Sequence, residues 1–146
     1  MTLPESFFDL RVLLVGEEPA LLEGLAQSFA AQGYSPRVLG SLSDARDAAV
    51  KRPPLLVVAD QALAAESGAD AAGIALAPGG ALLLYRTTAD ERALIPATLQ
   101  RLVLAELTLP LERNRLFALA QHVLDRVIAT GRSHRRETPP EMRSQG

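Results

Sequence analysis

The sequence contains no cysteine, which excludes disulfides and thiolate metal sites. It holds no apolar run approaching the roughly 18 residues of a membrane span. Its start, Met1-Thr2-Leu3-Pro4-Glu5, lacks the basic and apolar stretches of a secretion signal. The cytoplasm is therefore the expected compartment, with no membrane partner. The familiar nucleotide motifs are also missing. Val15-Gly16-Glu17-Glu18-Pro19 has a single glycine where a dinucleotide fingerprint needs several, and neither a GxxxxGK(S/T) loop nor a GxSxG elbow occurs. The two histidines, His122 and His134, have no ligand-like neighbours, and Lys51 is the only lysine.

Charge is ordinary in amount, with 22% of residues charged, but uneven. The formal net charge is −2, yet residues 131–146 hold Arg132, Arg135, Arg136 and Arg143 against only Glu137 and Glu141. The remainder is thus more acidic than the whole, a poor surface for phosphate backbones, and no nucleic-acid partner is expected for this domain. With 146 residues, 48% of them hydrophobic, the chain can form one domain with a real core. The patterned region gives a domain over 1–130, followed by a flexible, basic, Pro-containing tail or linker over 131–146.

Within the domain two kinds of segment alternate. Arg11 to Val15, Leu55 to Ala59 and Ala81 to Tyr85 are short apolar runs bounded by turn residues, the pattern of strands buried on both faces. Ser35 to Leu39 and Val103 to Leu107 are weaker strands, expected nearer the sheet edges. Leu22, Leu25 and Phe29 share one face of a helix that begins near Pro19 and stops at Gly33. Ser41 and Asp44 have capping-box spacing for a second helix, ended by Pro53-Pro54. Residues 64–76, interrupted by Gly68 and Gly73, predict a short or irregular helix. A fourth is expected from Ala89 to about Arg101, with Thr88 as its cap. Leu116, Leu119, Ala120, Val123 and Val127 stripe the last. Leu99, Leu102, Leu104 and Leu111 are expected in the core near strand five.

Strands alternating with helices predict an α/β fold, a doubly wound five-stranded parallel sheet. Its functional crevice lies beyond the carboxyl ends of the strands. That rule singles out Gly16-Glu17-Glu18 after strand one, Asp60 after strand three, Thr87-Thr88 after strand four and the turn at Leu109-Pro110. Carboxylate and carbonyl oxygens suit Mg²⁺. A carboxylate beside such a metal can attack a phosphoryl group and form an aspartyl phosphate. A nearby hydroxyl can donate to that group, and a cation is needed to balance its charge.

These residues resemble the receiver domains of bacterial two-component response regulators. Val12-Leu13-Leu14-Val15-Gly16-Glu17-Glu18-Pro19 is similar to that family's first strand and acidic turn. Pro54-Leu55-Leu56-Val57-Val58-Ala59-Asp60 is similar to the strand ending in the phosphoacceptor, with Gly68 in the following loop. Leu109-Pro110-Leu111 keeps the frame of the family's Lys-Pro-Phe turn, and the resemblance runs over roughly residues 10–129. It implies a flavodoxin/CheY-like (βα)5 fold with strand order 2-1-3-4-5. It also implies Asp60 as phosphoacceptor, Thr87 as switch hydroxyl, and Mg²⁺ held by Glu17, Asp60 and the backbone carbonyl of Ala62. The implied partners are a histidine kinase or a downstream signalling protein, and a homodimer through the fourth helix, fifth strand and last helix.

The sequence departs from the family at named positions. Gly16 replaces the first of two metal-binding acids, Leu109 stands at the lysine position, Glu106 at the aromatic switch position and Ala64 at the usual proline. Arg86 would restore a positive charge only if it faced the crevice, and strand alternation favours the other direction. The expectation is a degenerate receiver, a signalling interaction module and not an enzyme. The alternatives are a working phospho-switch on Asp60 and, from another class, a small α/β enzyme using Asp60 and Glu17 as acid and base.

Overall fold

The computed structural model describes residues 10–87 and 95–137, with side chains described up to Gly131. Its strands are β1 (Arg11–Val15), β2 (Ser35–Leu39), β3 (Leu56–Asp60), β4 (Ala81–Thr87) and β5 (Val103–Leu109). The helices are α1 (Pro19–Ala31), α2 (Leu42–Lys51), α3 (Gln61–Glu66), α4 (Gly68–Ala72), α5 (Ala97–Gln100) and α6 (Arg113–Glu137). All strand pairs are parallel, and the sheet order is β2-β1-β3-β4-β5. The expected α/β architecture and strand order are both observed.

The pleat divides the core in two. Leu14, Val58, Leu83, Tyr85, Leu107 and Leu109 pack with Leu22 and Phe29 of α1 and with Leu116, Ala120 and Val123 of α6. On the other face Leu13, Val57, Ala59, Leu82 and Leu84 pack with α2 to α5. Every residue of β1 and of β3 is buried, which explains why both read as unbroken apolar runs: neither face of a central parallel strand meets water. Phe29 and Phe117 join α1 to α6 with ring centroids 4.8 Å apart.

Local signals act as the sequence implies. Pro19 opens α1, and Gly33 beyond its end has φ of +96°, a conformation that favours glycine. The Asp44 N–H donates to Ser41 Oγ at 3.1 Å and caps α2.

Four expectations need correction. The helix expected over 64–76 is two short helices, α3 and α4, broken at Ser67. The helix expected from Ala89 covers only Ala97–Gln100 among the described residues, because Pro96 holds the N-cap with ψ of 143°; Thr88 and the segment 88–94 lie outside them. Leu99 is core, but Leu102, Leu104 and Leu111 are exposed. β5 is an edge strand, and its register slips between Leu82/Leu83, which pair with Val103 and Ala105. Leu104 is the extra residue of that bulge and has no place in the core. Finally, α6 does not stop near Thr130 but continues to Glu137. Gly131 weakens a helix by only about 1 kcal/mol relative to alanine, and no proline intervenes before Pro139.

Candidate functional site

The carboxyl ends of β1, β3, β4 and β5 form the rim at which the sequence places the crevice. Asp60 ends β3, is 5% exposed, and pairs in register with Tyr85 of β4. Its Oδ1 accepts the Ala62 N–H at 2.7 Å, so the carboxylate caps α3. A capping carboxylate satisfies a helix-end amide that would otherwise lack a partner. Ala62 lies inside that helix. Its carbonyl therefore runs along the helix axis toward residue 66, away from the rim.

The acidic turn after β1 is organised by its second glutamate. Glu17 is exposed. Glu18 is the N-cap residue of α1 but makes no side-chain cap bond there; its Oε1 accepts the Tyr85 hydroxyl at 2.7 Å. Tyr85 is 1% exposed and comes from β4, so its side chain spans β3 to reach the β1 turn. It lies hard against Gly16: a Cβ there would collide with the Tyr85 hydroxyl and stand 3.2 Å from Cζ. Nothing in the hydrophobic pattern distinguished Tyr85 from a plain core residue. The signal was the glycine at the first acid position together with a tyrosine two residues before Thr87.

Thr87 ends β4, half-buried, in register with Leu109. Leu109 has no exposed surface and packs in the core cluster that contains Tyr85, Leu107 and Leu116. The pleat sends Arg86 to the opposite face. There it lines a cavity of about 120 Å³ with Gln61, Leu84, Glu106 and Thr108. Gln61 Nε2 donates to Glu106 Oε1 at 2.9 Å, linking the end of β3 to β5. Next to this cavity Glu112 Oε1 accepts the Thr108 N–H at 2.7 Å. That bond, with Arg115 and Arg86 nearby, holds the Glu112 carboxyl below its ordinary value of 4.5.

The oxygens at the rim do not make a good Mg²⁺ shell. A divalent cation of this kind demands near-octahedral oxygen coordination. Glu18 is bonded to a phenol, Gly16 supplies no carboxylate, and the Ala62 carbonyl points elsewhere. No group of three His, Cys, Asp or Glu side chains able to hold a metal occurs among the described residues, nor is any described helix long and apolar enough to cross a membrane. Asp60 and Thr87 share the rim with the wholly buried Leu109, and Glu17 is exposed in the turn beside it.

No protein-family model and no curated protein matches the sequence. Solved structures do match. An adenylate cyclase structure from Rhodopirellula baltica superposes with a TM-score of 0.64 at 18% identity, over 89% of this chain and 98% of that one. The receiver domain of NtrX from Brucella abortus superposes with a TM-score of 0.56 at 18% identity, over 78% of this chain and 98% of that one. Longer NtrX from the same organism gives 0.59 at 19% identity over 93% of this chain, which spans only 30% of the NtrX chain. The chain has the CheY-like receiver fold.

Proposed function

We propose that this chain is a degenerate receiver: a protein–protein interaction module of two-component-type signalling that does not depend on phosphorylation of Asp60. The observation that carries this reading is Leu109. It is wholly buried in an apolar cluster at the position where the resemblance calls for a lysine. A phosphoryl group carries about −1.5 to −2 charge, and a leucine cannot balance it. Losing one such electrostatic partner costs roughly two or three decades in rate at comparable sites. The poor fit of the rim to Mg²⁺ supports the same reading. The module meets its partners through protein surface: a histidine kinase or downstream protein, and a second copy at β5, where the exposed Leu102, Leu104 and Leu111 lie on or beside an edge strand that two copies can pair.

The test is incubation with Mg²⁺ and acetyl phosphate, or beryllofluoride, followed by intact mass and amide spectra. No adduct and no spectral change are expected. An adduct on the wild type that disappears in Asp60→Asn overturns the reading in favour of a working phospho-switch, which the shared rim position of Asp60 and Thr87 would then explain. Sedimentation of wild type against Leu104→Glu checks the β5 contact, the variant being expected as the smaller species.

A further inference from the structure

We infer that the crevice is closed from within by Tyr85, and that Gly16 and Tyr85 are one coupled change in which a phenol takes the space of the missing acid. The inference rests on the receiver reading above and gives its incomplete metal shell a physical cause. Residue 16 follows Val15, which pairs with Ala59, so position 16 lies beside Asp60, and Asp60 in turn pairs with Tyr85. Neighbouring parallel strands stand about 4.8 Å apart. Carboxylates at 16 and 60 would thus be close enough to share one cation.

Instead the Tyr85 ring leaves β4, crosses the strand that ends in Asp60, and sets its hydroxyl over Gly16. The Cβ of any other residue at 16 would meet that hydroxyl, and Leu22 Cδ1 at 3.3 Å bounds the other side. The ring cannot swing away cheaply, because it is almost wholly buried and its hydroxyl is bonded to Glu18. Gly16 is not in the left-handed region. Its small size, and not its backbone freedom, is therefore what the site requires. The phenol also serves Glu18: it gives that carboxylate a neutral donor, so Glu18 needs no metal to be satisfied.

A double-mutant cycle tests the coupling. Gly16→Ala in the wild-type background is expected to lower Tm by about 5 °C or more, as overpacking a closed site does. In a Tyr85→Leu background the same change is expected to shift Tm by less than about 1 °C. Equal shifts in the two backgrounds overturn the inference. A second arm titrates Gly16→Asp/Tyr85→Leu with Mn²⁺ alone, read by water-proton relaxation. Saturable binding is expected, weakened at least about tenfold by adding Asp60→Asn, whereas wild type is expected to show none. A folded double variant that binds no Mn²⁺ also overturns the inference; if that variant fails to fold, the alanine cycle decides alone. Phosphorylation of the wild type on Asp60 would sink the degenerate reading without touching the Gly16–Tyr85 coupling, so the two failures are distinguishable.

Discussion

The two faces of the sheet end differently at the same rim. On the face covered by α1 and α6, Tyr85 and Leu109 are both essentially without exposure, Gly16 is pressed against the tyrosine, and the half-buried Thr87 ends β4 beyond it. On the other face, one residue along from Tyr85 on β4 and from Leu109 on β5, the rim is polar: Gln61 bonds Glu106, and Arg86 and Thr108 line a small cavity with them. The side that holds Asp60 is filled by Tyr85 and Leu109, whereas the opposite side joins a buried Gln61 to an exposed Glu106. This difference teaches where stability and where exchangeable chemistry reside. Apolar packing at a rim is nearly irreplaceable, while a hydrogen bond near solvent is readily replaced by water.

Substitutions at the two rims should therefore differ in size. Tyr85→Ala is expected to cost the most, about 3–5 kcal/mol of unfolding free energy in urea, by emptying a filled site and stranding Glu18. Leu109→Ala should follow at about 2–4 kcal/mol, since its surroundings can collapse only partly. Across the sheet, Gln61→Ala is expected to cost about 1 kcal/mol, because the bond it removes has an acceptor, Glu106, exposed enough to be hydrated. Urea unfolding that gave Gln61→Ala a cost equal to that of Tyr85→Ala would erase the distinction between the faces.

The smallest effect is electrostatic. The folded-state pKa of Glu112 lies below its ordinary value because the Thr108 N–H donates to it, with Arg115 and Arg86 adding favourable charge. Its contribution to stability is complete above about pH 4.5 and is lost as pH falls through the lower folded-state pKa. Wild type should exceed Glu112→Gln in stability at neutral pH, and acid titration of the unfolding free energy should bring the two curves together. Curves that stay parallel into acid would deny Glu112 that role.

Much of the fold was legible because burial on both faces writes itself as uninterrupted apolar runs. β1 and β3 fall within a residue of where the pattern places them. β5 and the helix before it were less legible. An edge strand with a bulge leaves leucines outside, and sequence hydrophobicity alone does not distinguish Leu99 in the core from Leu102 in water. At the site, the series of Asp60, Thr87 and Leu109 could be read from order and spacing. The bond between Glu18 and the Tyr85 hydroxyl was not legible, because sequence order does not say which way a turn directs its side chains.

The sequence by itself determined the layers of this protein, the strand that carries Asp60 and the absence of a lysine at Leu109. Only the tertiary structure decided that Tyr85 closes the rim and bonds Glu18, and that Arg86 turns away. Periodicity and end signals are local properties of the chain. The occupancy of a crevice is a contact between residues on different strands, and it is fixed by sheet order, register and pleat, which no single segment encodes.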